Sequence, residues 1–431
     1  MSFKHKILAL IPLSVKKNAI FNRLVKYYEV FKYRKILKES PKHYESVIRE
    51  FKSKNSKIRF GVYIAYDSMF GGKKLCEIIK NDDAFEYVKF VIVPNTMRNK
   101  EQMIATYNAT KDFFIKHYGN ESVIDGYDEK SGEFLDRSSL FDAVYIASPY
   151  ELDKHKFHSL SYLSKQNLLP FYLQYAFSHF KYGDHVIAAV PGVSFLWRVF
   201  LNNKFEYDGF KKFSLSSGKN AKISGYAKMD DFANSQIKNR DKKRIIIAPH
   251  HSVKSQQLKI ANFLYYYDLI LRLPKIFPNV EFIFRPHPHL FINLENYGFW
   301  DKEKIQNYQN EIKSCMEYSV GGDYLEIFAN ADGIIHDCGS FISEWLFSGK
   351  KGCFVSFDGA VFNQLSKFGK EALKFYDIAK NQNDIIEYVK NVENEKFTNL
   401  NLQDVGKNIT INYPNASKFI VDEIKKTLKS E

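Results

Sequence analysis

Cysteine is scarce: Cys76, Cys315, Cys338 and Cys353 are the only four in 431 residues. They lie far apart and form no C-x-x-C pair, which excludes a zinc ribbon and a disulfide framework and fits a reducing compartment. Long apolar runs are lacking too. A membrane-spanning helix needs about 20 predominantly apolar residues, and the longest early run, Ile7–Val15, is shorter and is interrupted by Pro12. Lys4, His5 and Lys6 precede it as in a secretory signal, but Lys16 and Lys17 follow where small cleavage-site residues belong, so a cytoplasmic place is expected. Phe70-Gly71-Gly72-Lys73-Lys74 follows an expected strand but has neither the G-x-G-x-x-G spacing of a dinucleotide fold nor that of a P-loop. This argues against NAD binding and against P-loop ATP hydrolysis. Repeats and low-complexity tracts are missing as well.

What is present is ordinary for a folded protein in most respects. The chain is 45% apolar and 26% charged, which excludes a disordered one, and its length suggests two or three domains. Aromatic residues reach 16% beside abundant Lys, Asn and Ile, a mix that A+T-rich coding produces; we read it as coding bias, not as base-stacking platforms. Sixty-three Lys and Arg against 49 Asp and Glu leave a net charge of +14, spread along the chain without a nucleic-acid-binding motif. The stretch 1–40 has ten Lys/Arg against two Glu, with Ile20, Phe21, Leu24, Val25, Tyr28 and Val30 at roughly helical spacing. Such a helix can lie on an anionic membrane surface or pack on the body of the protein, and the sequence leaves both open.

From residue 57 short β-rich runs alternate with helical ones, the pattern of right-handed βαβ units in a mostly parallel sheet. Strands are expected at Arg59–Ala65, Val88–Pro94, Phe141–Ala147, Pro170–Tyr175 and Asp184–Pro191, helices near 70–80, 99–118 and 152–165, and a short helix at Ser194–Leu201. After a polar stretch at Asn202–Asn220 and a charged break at Gln236–Lys243, strands are expected at Arg244–Ala248, Val280–Arg285, Gly333–His336 and Gly352–Phe357. Helices are expected between and after them, near 257–273, 302–317, 323–330, 340–348, 382–393 and 415–429. The expected organisation is a basic helical extension (1–54), one α/β domain (55–220), a second (221–410) and a C-terminal helix (411–431).

In such folds ligands bind at the carboxyl ends of the parallel strands, and three expected strands run there into polar residues. The first reaches Pro249, His250, His251 and Ser252; the second Arg285, Pro286, His287, Pro288 and His289; the third His336, Asp337, Cys338, Gly339 and Ser340. Five of the 12 histidines fall in these segments, more than an even spread would place there. Arg285 offers a planar, permanently charged fork to a phosphate, and His287, held between prolines, can move a proton near neutral pH. A helix opening at Ser340 after Gly339 presents unpaired N–H groups to an anion, or Ser340 is simply its cap. Adjacent His250 and His251 face opposite ways in an extended segment, so only one is expected in a shared site. Asp337 is expected to tie down its loop. His287 and His289 at i, i+2 also suit a metal, but no cysteine or acidic set accompanies them and no metal is expected. A nucleophilic Cys338 lacks anything beyond the helix start to lower its pKa.

At these residues the sequence resembles the CDP-glycerol glycerophosphotransferase family of teichoic acid and capsule polysaccharide synthesis. The resemblance rests on Arg285-Pro286-His287-Pro288, on Asp337-Cys338-Gly339-Ser340, on Gly225–Asp230 as a Gly-Tyr-x-x-x-Asp element, and on Pro249-His250-His251, Pro149-Tyr150 and Phe171–Tyr175. It covers roughly residues 140–360. It implies a GT-B-like fold: two Rossmann-like domains facing across a cleft, the first for the acceptor and the second for the nucleotide donor. It implies transfer of glycerol phosphate, or a similar polyol phosphate, from a CDP-activated donor to a hydroxyl of a bacterial surface polysaccharide or lipid-linked glycan, with release of CMP. Arg285, Ser340, Gly339 and Asp337 would hold the donor phosphates, and His287, His250 or His251 would take the hydroxyl proton, with no resident cofactor. The enzyme is expected in the cytoplasm, at the inner face of the cell membrane in the case that the basic extension lies on anionic lipid and not on the body of the protein. Two positions depart from the family: Gln174-Tyr175-Ala176 stands where the polymerases have a His-Gly pair, and Gly339 where a second serine is common. Two further readings stand beside this one. One is a GT-B glycosyltransferase using a nucleotide sugar in capsule or O-antigen synthesis; the other is a non-catalytic binder of anionic lipid or nucleic acid.

Overall fold

Two parallel sheets carry the chain, each made of short strands buried on both faces. The computed structural model describes residues 19–151, 153–181, 187–254, 260–321, 324–396 and 399–429. The chain divides into two compact units, one of Met1–Tyr175, His185–Ile223 and Lys418–Glu431, the other of Ala176–Asp184 and Ser224–Ser417.

In the first unit, beside a small antiparallel pair of Tyr127–Asp128 with Glu133–Phe134, the strands of the main sheet are β1 (Ile58–Ile64), β2 (Phe85–Ile92), β3 (Val123–Asp125), β4 (Ala143–Ile146), β5 (Leu169–Leu173), β6 (Arg198–Leu201) and β7 (Ala221–Ile223), in the spatial order β3-β2-β1-β4-β5-β6-β7. Every pairing among them is parallel. In the second unit they are β8 (Lys243–Ala248), β9 (Val280–Phe284), β10 (Glu317–Tyr318), β11 (Gly333–His336), β12 (Gly352–Val355) and β13 (Tyr376–Ala379), in the order β10-β9-β8-β11-β12-β13. Within each unit the first strand therefore sits in the middle, the next two lie to one side and the later ones to the other. This is the doubly wound Rossmann order. The chain thus has the GT-B-like α/β fold class expected from sequence: two Rossmann-like units with a basic helix in front.

The apolar runs explain why these residues form parallel strands. Ile245, Ile246 and Ile247 are all completely buried, as are Val144, Tyr145 and Ile146 in the first unit, which requires helices on both faces of each sheet. Burying one such side chain fully is worth about 1.5–3 kcal/mol, so a run of three fixes the sheet's interior before any loop is placed.

The structure differs from the sequence expectations mainly in the connections. Ser194–Leu201 is expected to be helical, yet its second half is β6, with Val199, Phe200 and Leu201 buried. So short an apolar run fits either element by periodicity, and the free edge of β5 decides it: Phe171, Tyr172 and Leu173 pair with Arg198, Val199 and Phe200. Of the strand expected at Asp184–Pro191, residues 182–186 lie outside the described ones, and 187–189 form a turn that leads into a short 3-10 helix at Pro191–Ser194. The helix expected at 152–165 is broken into Lys156–His158 and Leu160–Leu163, because Ser159 is extended and caps the second piece, accepting from the N–H of Tyr162 at 3.2 Å. The helix expected from 257 starts only at Tyr267 and runs to Ile276; residues 255–259 lie outside the described ones.

The basic extension is one helix, Ala19–Lys54, with residues 1–18 and the side chains of Ile20, Phe21 and Leu24 outside the described ones. One face lies on the first unit. Tyr44, Val47 and Phe51 are buried, the Tyr44 hydroxyl donates to the Phe195 carbonyl at 2.6 Å, and the Tyr33 ring meets that of Phe195 at 5.3 Å.

Candidate functional site

In the second unit Ile247 pairs with Phe284 and Ala248 with His336. The three polar segments singled out in the sequence therefore leave the sheet side by side, at one level and from one edge. The β8–β9 ladder continues past the strands: the N–H of Arg285 donates to the Ile247 carbonyl at 2.8 Å and that of His287 to the Pro249 carbonyl at 3.0 Å. This holds the Arg285–His289 loop against Pro249–Ser252.

Four imidazoles meet there. Ring centroids are 4.1 Å apart for His251 and His287, 4.3 Å for His250 and His251, 5.5 Å for His250 and His287, and 5.6 Å for His287 and His289. The sequence expectation that only one of His250 and His251 enters a shared site is corrected: both do, because the chain has left the strand and the alternation of an extended backbone no longer applies. His289, weighed from sequence only as a metal ligand beside His287, completes the cluster, and His251 lies 6.1 Å from it.

The hydrogen bonds fix which nitrogen of each ring carries the proton. His250 Nδ1 accepts from the Ser252 N–H at 3.3 Å, and His287 Nδ1 accepts from the His289 N–H at 3.1 Å. His251 Nδ1 lies 3.1 Å from Asn293 Nδ2, an amide nitrogen that also donates to the His251 carbonyl at 2.9 Å. A backbone or amide N–H can only donate, so in the neutral ring the proton sits on Nε2 in all three. Asn293, on the helix Leu290–Asn296, and Ser252, with its Oγ 2.9 Å from His250 Nδ1, are positioning residues that the spacing of histidines could not reveal.

Burial and mutual repulsion keep these rings neutral. Desolvation, followed by the neighbouring His251 and His287, pushes His250 down to about 3. Desolvation first, then His251 and His289, pushes His287 down to about 4, and His251 is lowered chiefly by burial and then by His289. His250, His251 and His287 form an array of neutral N–H donors, with cationic character available once an anion is present to share it. Among the described residues no group of three or more His, Cys, Asp or Glu is arranged to hold a metal ion.

The other residues named from sequence lie around this cluster in different ways. Arg285 is buried, and its guanidinium donates to Ser319 Oγ at 2.6 Å and to the Gly321 carbonyl at 2.7 Å. Those partners come from 34 and 36 residues further on, in the loop after β10, out of reach of any local reading of the sequence. Asp337 is completely buried beneath the loops: Oδ1 accepts from the His250 N–H at 2.6 Å and Oδ2 from that of Asn262. It clamps the β8 and β11 loops together, while burial pushes its carboxyl up to about 7 against the pull of those bonds. Gly339 is buried where a Cβ would come within 2.9 Å of the Phe180 ring, so its bareness makes room for that ring. Ser340 is exposed, makes no capping bond from its side chain, and holds its hydroxyl 3.4 Å from Cys338 Sγ. Burial raises the Cys338 thiol to about 11, which leaves little thiolate at neutral pH and removes the basis for a nucleophilic cysteine.

The Gly-Tyr-x-x-x-Asp element supports this edge from behind. Gly225 takes φ +84°, and a Cβ there would stand 2.0 Å from the Ile411 carbonyl oxygen, a place only glycine can occupy. The Tyr226 hydroxyl donates to Glu344 Oε1 at 2.9 Å, and Asp230 accepts from the N–H groups of Ala416 and Ser417 at 3.3 and 2.5 Å. Glu344 also faces Lys228 at 3.5 Å, which makes it a buried ion-pair partner and not a free acid.

No protein-family model and no curated protein matches the sequence. Solved structures do match it in fold. The wall teichoic acid polymerase TagF superposes with a TM-score of 0.55 at 13% identity, over 94% of this chain and 98% of that one. MnaA of S. aureus with UDP gives 0.54 at 12% identity over 87% and 98%, and the UDP-GlcNAc 2-epimerase of Neisseria meningitidis bound to UDP-GlcNAc gives 0.55 at 13% over 85% and 99%.

Proposed function

We propose that the chain is a transferase that moves glycerol phosphate, or a similar polyol phosphate, from a CDP-activated donor to a hydroxyl of a bacterial surface polysaccharide. The observation that carries this reading is the convergence of His250, His251 and His287, each with its Nδ1 spent on the protein and its Nε2–H left as a donor. Three neutral donors at the carboxyl edge of a Rossmann-like sheet suit the oxygens of a diphosphate, which bring the negative charge with them.

In the reaction an acceptor hydroxyl oxygen forms a bond to the phosphorus that bears the polyol. The bond from that phosphorus to the bridging oxygen breaks, CMP leaves with the electron pair, and the hydroxyl proton passes to a base. Positioning and charge neutralisation supply most of the rate in such transfers. The imidazoles would hold the diphosphate and stabilise the charge that develops on the leaving CMP. For one of them to act as the base it must accept at Nδ1, which means releasing its partner there, Ser252, Asn293 or the His289 N–H. Arg285 and Asp337 act on this reading by fixing the two loops, with the exposed Ser340 hydroxyl as a further phosphate contact.

A nucleotide sugar carries the same diphosphate, so the second reading is a GT-B enzyme acting on a nucleotide sugar. The donor separates the two. Purified protein is heated with CDP-glycerol, CDP-ribitol, UDP-sugars and CMP-sugars in turn; a donor at a hundred times its Kd adds about 2.7 kcal/mol of stability. Protection by a CDP-polyol with none from the sugars supports transfer of polyol phosphate. Protection by UDP-sugars alone supports the second reading, and protection by none of them sinks both.

A further inference from the structure

Helix Ala19–Lys54 turns a second face away from the first unit, and that face carries large aromatic residues. Tyr27, Tyr28 and Phe31 are 60%, 59% and 65% exposed. Their i, i+3 and i, i+4 spacing puts them on one patch of the helix. Soluble surfaces carry scattered apolar side chains; three large rings within about a turn form a patch of the kind that marks an interaction site. Arg34, Lys35 and Lys38 continue the same stripe, all exposed, and the Arg34 guanidinium lies 4.1 Å from the centre of the Phe31 ring. The charge does not come from this helix alone. Lys26 Nζ donates to the Lys212 carbonyl at 2.8 Å, which brings the exposed Lys211 and Lys212, 186 residues away in sequence, alongside. Of the acidic residues on the same stretch, Glu29 is buried and only Glu39 is exposed. Among the described residues no helix is long and apolar enough to cross a membrane.

We infer that this face docks the chain on the surface of an anionic lipid bilayer, with Tyr27, Tyr28 and Phe31 entering the headgroup layer and Arg34, Lys35 and Lys38 facing the lipid phosphates. The two chemistries are what select that partner. Tyrosine and phenylalanine gain by entering a layer that is apolar below and wet above, and the cations gain from the negative surface of the leaflet. A nucleic acid would use the cations but gives a packed aromatic patch nothing to enter unless its bases are unpaired. The inner face, held by Tyr44, Val47 and Phe51, keeps the helix on the protein meanwhile, so on this inference the helix serves both of the alternatives left open by the sequence, one on each face.

The full chain is sedimented with vesicles of phosphatidylcholine alone and of phosphatidylcholine mixed with phosphatidylglycerol. Binding is expected only to the second, weakening as salt is added. Replacing Lys35 and Lys38 together by Gln is expected to weaken binding about thirtyfold, and the pair Tyr28→Ser with Phe31→Ser at least about tenfold. Phe31→Trp keeps the patch and adds an exposed indole to a protein whose own Trp197, Trp300 and Trp345 are buried; its emission is expected to shift to the blue when vesicles are added. Equal binding to both kinds of vesicle, unchanged binding of the serine pair, or no emission shift would overturn the inference. So would displacement from the vesicles by single-stranded DNA that depends on Phe31 to the same degree.

Discussion

The two units share a strand order and differ in what they place at the same edge of the sheet. In the second, the loops after β8 and β9 present three imidazoles whose Nδ1 atoms are engaged by the protein and whose Nε2 atoms are, on the proposed function, the donors to a ligand. In the first, the loop after β4 carries Lys154, buried to 7% exposure, with its ammonium spent on Ser148 Oγ at 3.1 Å, Asp153 Oδ1 at 2.9 Å and the Tyr150 carbonyl. The hydroxyls of Tyr150 and Tyr175 likewise spend themselves on each other at 3.0 Å. The fold sets where polar loops emerge; whether they can bind anything depends on hydrogen-bonding capacity left over once the loop has satisfied itself.

The comparison breaks most visibly at His287. His287→Ala should lower turnover of whichever donor protects the protein by about a hundred- to a thousandfold while the melting temperature stays near that of the wild type, because the ring is only partly buried. His287→Gln, whose amide can still donate, should recover part of that loss. Turnover within tenfold of wild type for the alanine variant would remove the imidazole array from the site. Lys154→Met tests the other side. It leaves Asp153 without its cation in a buried place, which costs about 3 kcal/mol, read as a lower denaturant midpoint, and it should leave donor protection intact. Full stability with donor protection lost would make Lys154 a working group and erase the contrast between the units.

Much of the fold was legible because the strongest signals are runs such as Ile245–Ile247, which no amphipathic element can accommodate. The strands that escaped notice, β3, β7, β10 and β13, are short edge strands, none of them wholly buried, such as Glu317 and Tyr318 or the half-buried Ala221–Ile223, and they exist because a neighbour offers an edge. The site was legible in outline for a related reason: strand ends and histidines can be read from the sequence. What could not be read is the pairing of partners far apart in the chain. Arg285 with Ser319, Asp337 with Asn262 and His251 with Asn293 all join segments more than 30 residues apart, and these contacts decide which side chain faces a ligand and which holds the loop. The misjudged pair His250 and His251 shows the same limit at close range, where a rule for strands was carried two and three residues past the strand's end at Ala248.

A smaller effect is expected at Asp337, whose two oxygens accept from the N–H groups of His250 and Asn262. Asp337→Asn can match only one of those donors and turns its own NH2 on the other. Leaving a buried N–H without an acceptor costs about 1–3 kcal/mol, and because the released loop carries His250, donor affinity should fall with stability. The clamp is refuted if stability and affinity both match the wild type.

The smallest effect, and the one that sharpens the comparison most, is the dependence on pH. His250 and His287 are held at about 3 and about 4, below the roughly 6.5 of an unfolded histidine, so between about pH 6.5 and 4 the unfolded chain binds more protons and stability falls on acidification. His158 of the first unit, lowered to about 4 mainly by burial, acts in the same direction. Asp337, raised to about 7, acts oppositely: its contribution is fully present below about pH 4 and is lost as the pH rises through about 7. A bound diphosphate should raise the imidazoles of the second unit and leave His158 alone, since His158 is fully buried with Nε2 3.0 Å from the Leu135 carbonyl. Donor binding should therefore take up protons and tighten a few-fold between pH 8 and 6, with a calorimetric enthalpy that changes with the ionisation heat of the buffer. His287→Gln should flatten that profile and His158→Gln should not. An affinity independent of pH and of buffer would mean that the diphosphate never reaches the imidazoles.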